Sequence, residues 1–294
     1  MLSVRASYTS PHWLQILDSL CYNITMNIKN LYKEKDNTEF ENNVLHKADG
    51  EISNISTELL VEHYTTLYIN DIEVATLVCT GTSIVELAIG RIISEGILKD
   101  VNDIDNIYIC EKASRARVYL KEGVNFTNNV NKSVDVASCC QDNKSYFKST
   151  ILPEKLKNTL VINDKDVFSL AEAFAIDSKI HKMTSGTHAA YLYKDGKIIV
   201  SFEDIGRHNA LDKVIGYMYI NGIKPEECMV FTTGRVPVDM VRKAIYAKLG
   251  ALVSKAVPTV DAVILAKEYN LNLICRAWQD SFQVFNKSEV TSYE

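Results

Sequence analysis

Residues 229–254, MVFTTGRVPVDMVRKAIYAKLGALVS, decide the fold class. Four residues rich in β-branched and aromatic side chains (229–232) lead into a Thr-Thr-Gly-Arg turn. A helical stretch (238–249) follows, Gly250 stops it, and a second apolar run (251–254) begins. This strand–turn–helix–strand order is the unit of an α/β sheet. Working outward, the pattern repeats. Leu211, Val214, Ile215 and Met218 give one helical face closed by Gly222. Residues 189–193 and 198–202 flank Asp195-Gly196, a strong hairpin signal. Helices are predicted over 167–180 and 259–269, and strands over 271–275 and 282–285. Strands alternating with helices of this length predict an α/β domain over 149–294, with its sheet covered on both faces.

A smaller α+β unit is expected over 56–124. Residues 65–69, Asn70-Asp71 and 72–79 predict a hairpin, and short strands are expected over 104–110 and 116–120. Ser83-Ile84-Val85-Glu86 matches a capping box that opens a buried helix to Ser94, with Gly96 as its left-handed stop. Residues 1–55 are expected to be an extension and linker. Leu14, Leu17, Cys21, Ile24, Ile28 and Leu31 recur at helical spacing, and the polar stretch 33–43 follows. Residues 125–148, rich in Asn, Lys and Ser, predict an exposed loop holding Cys139 and Cys140.

The 294 residues carry 32 Lys and Arg against 37 Asp and Glu, a net charge of −5, which argues against nucleic acid as a whole-molecule partner. The richest apolar run, 84–93, is broken by Glu86 and Arg91, so no membrane helix is expected. Seven scattered cysteines without a C-x-x-C pair, and no secretory signal pattern, suggest a cytoplasmic chain with reduced thiols. Cys21, Cys79, Cys110, Cys228 and Cys275 stand in apolar or periodic contexts and are expected in the core.

Three junctions share one design: Thr184-Ser185-Gly186-Thr187-His188, Glu203-Asp204-Ile205-Gly206-Arg207-His208-Asn209 and Thr232-Thr233-Gly234-Arg235. Each places Gly and a polar donor where the chain leaves or enters regular structure. In open α/β sheets such loops gather at one edge, where ligands bind. Arg207 and Arg235 are suited to grip phosphate bidentately. Ordinary structural turns are the alternative, and His188 and His208 are either ligand contacts or turn stabilisers. Zinc is not expected, because neither H-x-E nor P-C-x-x-C occurs. Cys139 and Cys140 are candidates for an exposed, sulfur-passing thiolate; an accidental surface pair and a vicinal disulfide are the alternatives.

The run Ser185-Gly186-Thr187-His188-Ala189-Ala190, then Glu203-Asp204-Ile205-Gly206-Arg207-His208-Asn209-Ala210 with Asp212-Lys213-Val214-Ile215-Gly216, closely resembles the FdhD-type formate dehydrogenase accessory proteins. Thr233-Gly234-Arg235, Asp239-Met240-Val241, Lys243-Ala244 and Ala256-Val257-Pro258-Thr259 continue the pattern, as do Glu86-Leu87-Ala88-Ile89-Gly90 and Ser94-Glu95-Gly96-Ile97 upstream. The resemblance covers residues 58–286. It implies a sulfur carrier that receives sulfur from a cysteine desulfurase as a cysteine persulfide. That sulfur passes to the molybdenum (or tungsten) bis-guanine-dinucleotide pterin cofactor before the cofactor enters formate dehydrogenase. It also implies a cytidine-deaminase-like three-layer domain without zinc, a homodimer, and a site that a GDP-like nucleotide can occupy in the cofactor's place.

Carried over residue by residue, the family's S-C-G-x-C-G loop falls on Ser138-Cys139-Cys140-Gln141-Asp142-Asn143. Cys139 is then the persulfide carrier. Cys140 stands where the family has a glycine and is a candidate second thiol, while Asp142 replaces the second cysteine. The tail F-x-R-x-x-R-F falls on Arg276-Ala277-Trp278-Gln279-Asp280-Ser281-Phe282, with neither arginine in place. Arg276 is then a shifted cation, and Trp278 is available to stack on a guanine or pterin ring. The expected cofactor contacts are Thr187, His188, Arg207, His208, Gly234, Arg235, Arg276, Ala277, Trp278, Gln279, Asp280 and Ser281. A guanine-nucleotide-binding chaperone that no longer transfers sulfur is the alternative function.

Overall fold

Two sheets, a hairpin and six helices organise residues 26–126 and 153–288, the part of the chain that the computed structural model describes. The smaller sheet has the order β1-β6-β7-β4-β5, from β1 (Asn27–Asn30), β4 (His63–Ile69), β5 (Ile72–Cys79), β6 (Ile104–Ile109) and β7 (Arg115–Leu120). The β4–β5 hairpin turns at Asn70 and Asp71, both left-handed (φ 46° and 63°), as a twisted two-residue turn requires.

The amino-terminal expectations need correction. Residues 27–30 do not continue a helix. They form an edge strand parallel to β6, with Ile28 36% and Leu31 40% exposed, because backbone pairing there outweighs the three–four spacing. The polar stretch 33–43 is not wholly a linker either. β2 (Thr38–Ala48) and β3 (Glu51–Leu60) form a separate antiparallel ribbon whose residues are largely exposed on both faces.

Helix α1 (Ile84–Ser94) is buried along its whole length. Its predicted capping box does not form. Ser83 sits at φ 54°, and its backbone N–H donates to Glu34 Oε1 at 2.7 Å. At the other end Gly96, φ 67°, donates to Ile93 O, and Ile97 donates to Ile92 O, so the helix closes with a left-handed cap.

The larger sheet runs β13-β12-β11-β10-β8-β9, from β8 (His188–Lys194), β9 (Lys197–Asp204), β10 (Met229–Thr232), β11 (Ala251–Ser254), β12 (Asn272–Cys275) and β13 (Gln283–Asn286). β10, β11 and β12 are parallel, and β8 and β13 flank them antiparallel. Alternation along the strands separates two faces. Tyr191, Phe231, Val253 and Ile274 pack on α2 (Asp164–Asp177) through Val167, Leu170 and Phe174. Leu192, Val230, Leu252 and Leu273 share a core with α4 (Arg207–Ile220), α5 (Val238–Tyr246), α6 (Val260–Glu268), α1 and the small sheet. The two sheets therefore share one core. The helix expected over 167–180 breaks at Ser178, whose hydroxyl donates to Phe174 O, and α3 (Lys179–Thr184) follows.

Where α1 crosses α4 the backbones touch. A Cβ at Gly90 would lie 1.7 Å from Asp212 O, and one at Gly216 1.9 Å from Glu86 O. Only glycine fits at such a crossing. This contact joins the small sheet to the helix that starts at the Gly206-Arg207-His208 junction.

Candidate functional site

Strand register brings the three junctions to one edge of the larger sheet. His188 pairs with Asp204, Ala190 with Thr232, and Thr232 with Ser254. The start of β8 and the ends of β9, β10, β11 and β12 therefore lie together, with α4, α5 and α6 beginning just beyond three of them.

The side chains at this edge divide into a buried frame and an exposed rim. Thr187, 4% exposed, donates its hydroxyl to Glu203 Oε2 at 2.8 Å. Glu203 also accepts the backbone N–H groups of Ile180 and His181 at the start of α3. His188 Nδ1 is 3.4 Å from Thr233 Oγ1. Burial, then the Arg207 charge and two neighbouring histidines, lower the pKa of His188, favouring its neutral form. Arg207 is buried with its stem against Gly234, where a Cβ would come within 2.7 Å of it. His208 Nε2 lies 2.8 Å from Asp239 Oδ2, tying the first turn of α4 to that of α5. Burial alone would raise the Asp239 carboxyl, but His208, a backbone N–H and Arg207 hold it below the usual range.

The rim is made by Arg235 and residues 276–281. Arg235 is exposed, as are Arg276, Trp278, Gln279, Asp280 and Ser281, whereas Ala277 is buried. Arg276 is left-handed (φ 51°), and the backbone N–H of Trp278 donates to Ser281 O at 2.7 Å, closing a tight turn. All twelve predicted contact residues thus share one edge. The rim cations are Arg235 and Arg276; Arg207 belongs to the frame.

Beneath the edge lie two charged clusters to which sequence reasoning assigned no role. Asp204, fully buried, accepts from Thr80 N, Thr80 Oγ1, Gly206 N, Asn209 Nδ2 and Lys213 Nζ, the last at 2.7 Å. Thr80 follows β5, so this carboxylate ties the small sheet to the candidate edge. Asp212 accepts from Ser94 Oγ at 2.6 Å and from Lys243 Nζ at 2.9 and 3.0 Å. Glu95 adds contacts to Lys243 at 2.8 Å and Arg91 at 3.3 Å. The signal was their presence among the positions quoted for the resemblance, Ser94-Glu95, Asp204, Asn209, Asp212-Lys213 and Lys243, since a helical lysine ordinarily points to water.

Residues 60–291 match the family model for FdhD/NarQ. The chain belongs to the FdhD/NarQ family. It is 31% identical over 248 residues to the sulfur carrier protein FdhD of Listeria monocytogenes serotype 4b (strain F2365), covering 82% of this chain and 94% of that one. It is 29% identical over 242 residues to the sulfur carrier protein FdhD of Bacillus subtilis (strain 168), covering 82% and 92%. A crystal structure of a protein described as a formate dehydrogenase accessory protein, from Desulfotalea psychrophila, superposes with a TM-score of 0.71. It covers 87% of this chain and all of that one at 20% identity, a likeness of fold.

Within this FdhD/NarQ chain, Cys139 and Cys140 lie outside the described residues, as does Cys21. Cys79, Cys228 and Cys275 are buried as expected, and burial pushes each thiol up to about 12. Cys110 is a correction, being only half-buried. Burial raises its pKa, but the Ser114 hydroxyl and the backbone amides of Arg115, Lys112 and Ser114 outweigh that and lower it. Its position at the end of β6, beside a tight turn, explains the difference. Among the described residues no three His, Cys, Asp or Glu side chains converge as metal ligands. No helix among them is long and apolar enough to cross a membrane.

Proposed function

We propose that this protein is a sulfur carrier in the maturation of formate dehydrogenase. The Cys139 thiolate attacks the terminal sulfur of a cysteine desulfurase persulfide. A new S–S bond forms on Cys139, the donor's S–S bond breaks, and the donor cysteine leaves as thiolate, so no external oxidant is needed. The outer sulfur then goes to a molybdenum or tungsten bis-guanine-dinucleotide pterin, bound as substrate at the sheet edge. The S–S bond on Cys139 breaks, Cys139 returns as thiolate, and the reduced metal of the substrate supplies the two electrons that take the sulfur to the sulfide level. In this reading the larger domain is cytidine-deaminase-like without zinc, and the protein works as a homodimer in the cytoplasm.

The observation that carries the reading is the rim itself, in a chain whose relatives are named sulfur carriers. A guanylated pterin presents diphosphates and flat heterocycles. Arg235 and Arg276 supply exposed cations for the former, and Trp278 an exposed ring for the latter. Around them, Glu203 fixes α3 and Thr187, while the His208–Asp239 pair fixes the starts of α4 and α5. The donor set therefore suits the ligand without recruiting a metal site. The test is complementation of a strain lacking its own sulfur carrier. The wild-type chain restores formate dehydrogenase activity and Cys139→Ala does not; full restoration by Cys139→Ala would overturn the proposal.

A further inference from the structure

Lys255, the residue after β11, lies between two aromatic rings. Its ammonium is 4.9 Å from the ring centroid of Phe174 and 4.9 Å from that of Trp278. Phe174 is an α2 residue, 9% exposed, with the His181 ring 5.6 Å away on another side. Trp278 is 49% exposed. A cation over an aromatic face within about 6 Å is attracted by the ring quadrupole, more strongly when partly withdrawn from water. Lys255 is itself half-buried, and its ammonium faces both rings. The backbone holds the arrangement. Lys255 N donates to Thr232 O, Ala277 N to Ser254 O and Trp278 N to Ser281 O. An otherwise exposed indole is thereby braced by a cation that is anchored to buried Phe174, beside the outward Arg276.

We infer that Lys255 is a positioning residue that braces Trp278 as a stacking platform for the purine base of a guanine nucleotide. This rests on the reading that the rim takes a guanylated ligand. The diphosphate falls to Arg235 and Arg276, so Lys255 acts through the indole and makes no phosphate contact of its own.

Calorimetric titration of the full-length protein with GDP and, separately, inorganic pyrophosphate separates these roles. Lys255→Met is expected to weaken GDP binding about five- to twentyfold and to leave pyrophosphate binding within about twofold. Lys255→Arg, which keeps a cation able to stack, restores most of the GDP affinity, and Trp278→Ala reproduces the loss. In a Trp13→Phe background Trp278 is the remaining tryptophan, and GDP quenches its emission. That quench should move to higher GDP concentration in Lys255→Met. Unchanged GDP affinity in a folded Lys255→Met protein overturns the inference and leaves the ligand reading standing. An equal loss for pyrophosphate also overturns it, because Lys255 would then be a phosphate contact. A wild-type protein that binds pyrophosphate but gains nothing from the guanosine removes the ligand reading and this inference together.

Discussion

Replacing Gly216 with alanine tests the claim that the α1–α4 crossing holds the small sheet against the candidate edge. In a helix interior the substitution would ordinarily stabilise by about 1 kcal/mol. Here the new methyl would lie 1.9 Å from Glu86 O, 2.7 Å from Glu86 C and 2.9 Å from Glu86 Cα. All three are backbone atoms, so no rotamer change relieves the clash. Reaching ordinary contact at about 3.4 Å requires one helix to retreat by about 1.5 Å. That retreat would stretch the Ser94–Asp212–Lys243 contacts, which are already near 2.6–3.0 Å. Overpacking costs about 1–3 kcal/mol, and disturbing this cluster adds to it, so a net loss of about 2–4 kcal/mol is expected after the helix-propensity gain. Urea denaturation followed by far-ultraviolet circular dichroism measures it as a lower midpoint at unchanged slope. Gly186→Ala is the contrast. Its nearest atom is Leu60 Cδ1 at 2.5 Å, the end of a movable side chain, so a change under about 1 kcal/mol is expected. A Gly216→Ala protein as stable as the parent, or more so, would refute the close crossing.

Three further outcomes follow from the buried charges and thiols. Burial would raise the Glu95 carboxyl, but Arg91 and Lys243 outweigh it and bring it to about 2. A depressed carboxyl contributes stability that is present above its unfolded value of 4.5 and lost as pH falls toward 2. Glu95→Gln should therefore cost about 2–3 kcal/mol at pH 7, with the difference shrinking between pH 4.5 and 2 in urea titrations; a pH-independent difference would contradict this. Lys213→Met leaves the Asp204 charge buried without its cation and should cost about 3–5 kcal/mol, part of which the Lys213→Met/Asp204→Asn double variant recovers. Additive losses in that double-mutant cycle would rule out the pairing. Iodoacetamide at neutral pH should modify Cys110 well before Cys79, Cys228 or Cys275, as read by peptide mass mapping. Equal labelling of Cys228 would contradict the burial.

Local chemistry made much of the fold legible. Asn70-Asp71 and Asp195-Gly196 mark their hairpins because left-handed turns restrict residue choice, and Gly96 marks the end of α1 for the same reason. The strand and helix order from 189 to 285 follows from apolar runs broken by glycine and polar turns. Where the outcome depended on distant partners, the sequence was silent or misleading. Ile28 and Leu31 have helical spacing, yet an edge position beside β6 makes that stretch a strand. β2 and β3 carry charged and amide side chains on both faces, so no alternation distinguishes them from a linker. Ser83 and Glu86 suit a capping box, but Glu34, 49 residues upstream, takes the Ser83 amide. Gly234, Arg235, His188, Arg207 and His208 were visible through their Gly, His and Arg chemistry, and residues 276–281 only through the resemblance of the tail. The Asp204–Lys213 and Asp212–Lys243 pairs were not, because their burial is created only when α1, α4 and α5 pack together.

The most direct test of sulfur carriage is intact-protein mass spectrometry after incubation with a cysteine desulfurase and cysteine, comparing wild type, Cys139→Ala and Cys140→Ala. The account predicts one added, reductant-labile sulfur on wild type and on Cys140→Ala, and none on Cys139→Ala. An undiminished added sulfur on Cys139→Ala would contradict it.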